Sequence, residues 1–195
     1  SHSDGVLGNG KGMHVRGIHA DIPFLFDKDL ELIELCNRHN LSFVGLSFVR
    51  NVDDIRLAQK LLNPKTKIIS KIETLAAVSN LATILPEVEF ILIDRGDLST
   101  EVGLLNIGRY QGKIIFEALR SLKKVFLATQ FLKNMEHNPV PSIPEIIDLF
   151  NTLKQPIYGV QLSEETAIGK YPLECIEVIQ DVMRQVEEID EFSMK

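Results

Sequence analysis

The sequence predicts an α/β fold of about five consecutive β/α units sharing a parallel sheet. Three observations predict it. From residue 27 onward, short β-branched runs alternate with longer stretches carrying apolar residues every three or four positions. The short runs are apolar through most of their length, as expected for strands covered on both faces in a parallel sheet with crossover helices. Each run also ends at its C-terminal side in polar or charged residues, where parallel α/β folds gather their ligand-binding loops.

Taken in order, the first helical pattern covers residues 28–37, with Asp27 as its start signal ahead of KDLELIEL. FVGLSF, residues 43–48, reads as the first strand, and Asn51 stands at the N-cap of a helix over 52–62. KIISKI, 67–72, is the second strand and is followed by a helical pattern over 74–85. FILI, 90–93, is the third; a turn at Gly96 and Asp97 then leads into a short helix, and a longer helical pattern covers 104–122. VFLA, 125–128, is the fourth. In PSIPEIIDLF, Ser142 and Glu145 have capping-box spacing and Pro144 lies in the first turn of a helix over 144–153. GVQL, 159–162, is the fifth strand, and a helix over 172–189 closes the series.

The 195 residues suit one well-buried core and a single domain, 1–195, and no Pro/Gly-rich or low-complexity linker divides them. Apolar residues at 45% and charged residues at 25% exclude a disordered chain. A net charge of −6 with scattered lysines and arginines lacks the footprint of a general nucleic-acid binder, so small molecules or proteins are the expected partners. Charge interrupts every apolar run well short of the roughly 18 residues that span a bilayer, which predicts no membrane segment and a cytoplasmic protein. Cys36 and Cys175 both fall in helical patterns without metal-ligand spacing and read as reduced core thiols.

Five strand ends contribute polar groups to one rim: Ser47 and Arg50, Lys71 and Glu73, Arg95 and Asp97, Thr129 and Gln130, Ser163 and Glu165. Glu73 and Asp97, expected on neighbouring strands, would bind one divalent ion through single carboxylate oxygens, as Mg²⁺ is usually held. Lys71 beside them supplies a cationic donor for a phosphoryl group or a developing enolate oxygen. Backbone amides at Gly96 and Asp97, opening a short helix, favour a carboxylate or phosphate, and the Thr129 hydroxyl would join them. The alternative is structural: Lys71 pairs with Glu73 or Asp97, and Arg95 with an acid on a neighbouring helix.

KIISKIET, ILIDRGDLSTEVGL, VFLATQFLKNM, NPVPSIPEIIDL and GVQLSEETAIGKYPLE stand in the order, and near the spacing, of signature blocks of pyruvate kinase. Upstream, GKGMHVRG, IPFLFDKDLELI and GLSFVR resemble the segment where that family leaves its lid domain and re-enters its barrel, so residues 1–26 read as that junction. The resemblance implies part of a TIM-type (β/α)8 barrel binding phosphoenolpyruvate or pyruvate with Mg²⁺ or Mn²⁺. Lys71 resembles the catalytic lysine, and Glu73 and Asp97 the metal ligands. The backbone of Arg95, Gly96 and Asp97, with the hydroxyl of the catalytic and substrate-binding Thr129, resembles the substrate-carboxylate cradle. Ser163 and Glu165 fall in a block on the nucleotide and substrate side.

The departures are equally specific. The family's first three barrel strands have no counterpart here, and with them go a substrate-binding arginine, the monovalent-cation ligands and much of the ADP site. The lid and C-terminal domains have no counterpart either. The family's Ser-Gly-Glu reads Ser163-Glu164-Glu165, Ile143 replaces an arginine, Asp94 replaces a small residue and Ser99 a glycine. Three functions follow as expectations. The chain is part of a pyruvate kinase-like phosphotransferase, inactive by itself as a kinase. Alternatively it is a non-catalytic module for ligand sensing or assembly, or a Mg²⁺-dependent pyruvate-enolate lyase or decarboxylase. Five strands cannot close a barrel of eight, so strands from another chain or a larger polypeptide are expected to pair at residues 43–48 and 159–162, giving an oligomer.

Overall fold

The computed structural model describes residues 22–193, with side chains described to residue 189; most of the junction segment, residues 1–21, lies outside the described residues. Five parallel strands form one open sheet in chain order: β1 (Phe43–Leu46), β2 (Lys67–Lys71), β3 (Phe90–Asp94), β4 (Lys124–Ala128) and β5 (Gly159–Gln161). Between and around them run α1 (Asp27–Arg38), α2 (Val52–Leu61), α3 (Leu75–Ser79), α4 (Leu81–Ile84), α5 (Arg95–Val102), α6 (Ile107–Arg120), α7 (Ile143–Leu153), α8 (Glu164–Ala167) and α9 (Pro172–Ser193). The expected α/β class is therefore present as an open five-stranded parallel sheet, the arrangement of a partial barrel.

Sequential strand order explains where the core sits. Right-handed crossovers between adjacent parallel strands put every connecting helix on the same face. On that face Leu46, Ile68, Ile91, Ile93, Val125 and Leu127 are buried and join Ile55, Ala58, Ile84, Ile114 and Leu149 in one cluster. Burying a large aliphatic side chain contributes about 1.5–3 kcal/mol, so this layer supplies most of the drive to fold. The other face alternates out of phase, as the period of two requires. There Phe90 is surrounded by Phe43, Phe126 and Tyr158 at centroid distances of 5.4, 6.2 and 5.6 Å. Lys67 and Lys124 lie over the Phe90 ring and share Glu89 at 2.7 and 2.9 Å. The expectation of strands covered on both faces thus holds for the helix side, whereas Phe43 and Tyr158 on the second face are about half exposed.

Several element boundaries differ from the sequence reading, each for a local reason. The strand expected over 43–48 stops at Leu46 because Phe48 adopts φ 53°, outside the extended region. Phe26, not Asp27, is the N-cap of α1; its amide donates to the Asp29 carboxylate at 2.8 Å, and Asp27 begins the helix. The helical pattern over 74–85 breaks at Asn80, whose carbonyl accepts the Thr83 hydroxyl while the Ser79 hydroxyl donates back to Leu75. The helix expected over 104–122 begins as a 3-10 turn at Leu104–Asn106, after Gly103 ends α5 at φ 85°. Asn51 caps α2 as expected, accepting the amides of Asp53 and Asp54. The amide of Ser142 donates to Glu145 at 2.7 Å at the start of α7, with Pro144 in its first turn.

Candidate functional site

The carboxyl ends of β1 to β4 converge on one acidic cluster. Lys71 is the last residue of β2, and its ammonium lies 3.0 Å from Glu73 Oε2, 3.3 Å from Asp94 Oδ2 and 3.2 Å from Ser47 Oγ. Glu73, two residues beyond, is completely buried. Its Oε1 accepts the Phe48 amide at 2.6 Å, so the left-handed turn at Phe48 that ends β1 also points a donor at Glu73. Its Oε2 makes no hydrogen bond of good geometry and meets the Lys71 ammonium as an ion pair. Thr74 then caps α3, its hydroxyl accepting the Ala77 amide and donating to the Val49 carbonyl, which fixes the chain on either side of Glu73.

Burial pushes the Glu73 carboxyl above its ordinary range; Lys71 and the Phe48 amide offset only part of this, and Asp94 adds to it. Burial works to lower the Lys71 pKa, but Glu73 and then Asp94 outweigh it, and the ammonium is held above the usual lysine range. Lys71 is therefore a fixed positive charge in a cluster of acids.

Asp97 occupies the first turn of α5, directly after β3, where a turn into a short helix was expected. One oxygen each from Glu73, Asp94 and Asp97 lies within 4.8 Å of the others. The carboxylates expected to share an ion are thus brought together, with a third that sequence reasoning weighed only as a departure. A usable signal was present: Phe90, Leu92 and Asp94 alternate along β3, and Leu92 pairs with Lys71 of β2, so Asp94 shares the face of Lys71.

The cradle beside this cluster is built from two consecutive left-handed residues, Thr129 at φ 72° and Gln130 at φ 58°. Neither is glycine, so the turn is strained unless its surroundings hold it. Arg95 does so: its Nε and Nη2 donate to the Thr129 carbonyl at 3.0 and 2.6 Å, Nη1 pairs with Asp148 of α7 at 2.7 Å, and the guanidinium lies 4.0 Å from the Phe131 ring centroid. The Arg95 side chain therefore has the structural partnership with a neighbouring helix that the alternative reading named. Thr129 Oγ1 accepts the Gly96 amide at 2.9 Å. Ser163 and Glu165 are not brought into the acidic cluster. Glu165 is fully buried and accepts the amides of Ser163 at 2.8 Å and Leu132 at 3.4 Å, tying β5's end to the loop after β4. Among the described residues no helix is long and apolar enough to cross a membrane.

Residues 1–176 match the family model described as "Pyruvate kinase, barrel domain". Pyruvate kinases of Borreliella burgdorferi, Thermotoga maritima and Dictyostelium discoideum are 33%, 35% and 34% identical to this chain, over 95%, 94% and 94% of its length. The matches cover 40%, 41% and 37% of those relatives, so the chain spans about two fifths of their length. With the family model matching from residue 1 to 176 and five parallel strands in sequential order, the chain belongs to the pyruvate kinase family, within its barrel domain.

Proposed function

We propose that this chain forms the metal- and carboxylate-binding portion of a pyruvate kinase-like barrel, binding phosphoenolpyruvate or pyruvate and serving phosphoryl transfer with ADP once further strands complete it. The observation that carries this reading is the convergence of Glu73, Asp94 and Asp97 within 4.8 Å, facing Lys71 at the carboxyl end of the sheet. The donor set fits the metal: three hard carboxylates suit Mg²⁺ or Mn²⁺, and Glu73 Oε2 is buried without a well-formed hydrogen bond. Glu73 and Asp97 would hold the ion, which when bound supplies Lewis-acid polarisation and a template for the substrate's oxygens.

The remaining work falls to this chain's own residues. Lys71, a permanent cation with a buried counter-charge, donates to the oxygen on which negative charge grows as the phosphoryl group departs. The amides of Gly96 and Asp97 at the head of α5, with the Thr129 hydroxyl, receive the substrate carboxylate. Arg95 keeps that cradle in shape through the Thr129 carbonyl. Ser163 borders the adjoining side of the rim, on the substrate and nucleotide side, and the buried Glu165 holds its amide. β1 and β5 are sheet edges, and we infer that strands of another chain or of a longer polypeptide pair with them, in a cytoplasmic oligomer.

Calorimetric titration with Mg²⁺ and phosphoenolpyruvate or oxalate tests the site. Binding should fall by an order of magnitude or more, roughly 1.4 kcal/mol per tenfold, in Lys71→Ala and Asp97→Ala; affinity indifferent to both substitutions would overturn the assignment. Sedimentation tests the edges, where a monomer at every concentration would count against added strands. A second reading, a non-catalytic binding module, is favoured by one observation: Lys71 is already engaged by two carboxylates. A coupled assay of lactate formation from phosphoenolpyruvate and ADP, with the missing barrel strands supplied in trans, separates the two.

A further inference from the structure

Asp94 occupies the place where a bound anion would sit. Its Oδ1 accepts the Asp97 amide at 3.4 Å and lies 3.4 Å from Thr129 Oγ1, whose proton goes to the Ala128 carbonyl at 2.7 Å, while its Oδ2 lies 3.3 Å from the Lys71 ammonium. Thr129 Oγ1 in turn already accepts the Gly96 amide. A methyl group added at Gly96 would lie 3.4 Å from Asp94 Oδ1 and 3.5 Å from Thr129 Oγ1, so the space over that glycine is lined by these two side chains. Asp94 is itself buried, at 7% exposure, and the carboxylate cannot swing clear without losing its cap on α5.

From this geometry we propose that Asp94 is an internal competitor for the anion subsite, a tethered carboxylate that turns the site away from carboxylate-bearing ligands while strengthening its hold on a bare divalent cation. The inference rests on the reading of Glu73, Asp97 and Lys71 given above. Two effects act together. An incoming carboxylate must displace Asp94 from donors that it reaches at high effective concentration. It must also settle beside a fixed negative charge in a partly desolvated site, where like charges disfavour each other strongly. For a cation the sign reverses. Asp94 adds a third carboxylate around the ion, and replacing it removes one unit of negative charge, so the loaded cluster becomes more positive and attracts an anion more strongly.

The test compares the whole chain with Asp94→Asn and Asp94→Ala by calorimetry, first with Mn²⁺ alone and then with oxalate added to the Mn²⁺-loaded proteins. Asparagine keeps the shape and the capping acceptor but removes the charge; alanine removes both, and circular dichroism reports whether each variant is folded. Oxalate affinity should rise in the order parent, Asn, Ala, by roughly ten- to a hundredfold overall. Mn²⁺ affinity should fall several-fold in both variants. Mn²⁺ binding with oxalate affinity unchanged or lowered in the folded variants would overturn the competitor role and leave the site reading standing. Failure of all three proteins to bind Mn²⁺ would overturn the site reading, and this inference with it.

Discussion

Lys71→Met replaces the cation of the cluster with an apolar side chain of similar length. In the parent, the ammonium sits 3.0 Å from a Glu73 carboxylate with no exposed surface and 3.3 Å from Asp94, and is itself about 20% exposed. Removing one partner of a buried ion pair costs about 3–5 kcal/mol; the partial exposure of Lys71 puts this case near the low end, at about 3 kcal/mol. For a chain of this size that lowers Tm by roughly 6–12 °C. The loss should depend on pH in a defined direction. Glu73 titrates above its unfolded value because it is buried, so its ionisation opposes folding as pH rises through the interval between the two values. Without Lys71 that interval extends further upward. The deficit should therefore be largest near neutrality and shrink in acid, where Glu73 is protonated in both states. A divalent ion should also repair it, because an ion at about a hundredfold excess over its dissociation constant adds roughly 2.7 kcal/mol to the folded state. Thermal melts in chelator, in Mg²⁺ and in Mn²⁺, across pH, supply the measurement. A variant melting within about 1 °C of the parent in chelator at neutral pH would refute the reasoning, as would a deficit unaffected by either ion.

Three further outcomes follow from contacts around the site. Arg95→Ala should cost about 2–3 kcal/mol by urea denaturation, since it frees the left-handed Thr129 turn, whereas Asp148→Asn, at the more exposed end of the pair, should cost less than about 1 kcal/mol; equal losses would mean that the ion pair, not the carbonyl contacts, holds the turn. Gly169→Ala would bring a Cβ to 2.2 Å from the Glu165 carbonyl and should destabilise the α8–α9 junction by about 2 kcal/mol or more; unchanged stability in the same urea assay would show that this junction yields easily. Cys175 is fully buried, and burial raises its thiol pKa, so in mildly alkaline buffer it should resist Ellman's reagent until the chain is unfolded; prompt modification in the native state would contradict its packing.

What was legible in the sequence was periodicity, and what was not was contact. The five strands could be read because a parallel strand buried against helices needs a run apolar through most of its length, and each was located to within two residues at either end. The misplaced end of β1 illustrates the limit. FVGLSF remains apolar through Phe48, and nothing in that residue's type announces φ 53°. The same limit governs Arg95. Its partners are 34 and 53 residues away, at Thr129 and Asp148, so an acid on a neighbouring helix could be expected for its side chain but not identified. Glu165 was placed on the rim by its position after β5, yet it is turned inward to hold the amides of Ser163 and Leu132. Lys71, Glu73 and Asp97 were found because strand ends in a parallel sheet converge whatever the loops do.

Asp94 connects the stability of the site with its chemistry. A cluster with more acids than bases at the end of a sheet is a poor device for folding, because each added carboxylate must be desolvated near others of its own sign. Here the cost is limited by donors that carry no net charge: the Phe48 amide for Glu73 and the Asp97 amide for Asp94. Among the described residues, Lys71 alone supplies a positive charge within salt-bridge distance of these two acids. Such a cluster is held together while remaining short of positive charge, which is the condition under which a divalent ion gains most by entering. The same shortage works against an anionic substrate unless that ion is already present. Ordered binding, cation before carboxylate, is thus what this arrangement of charges favours, and oxalate added to cation-free protein should produce no heat of binding.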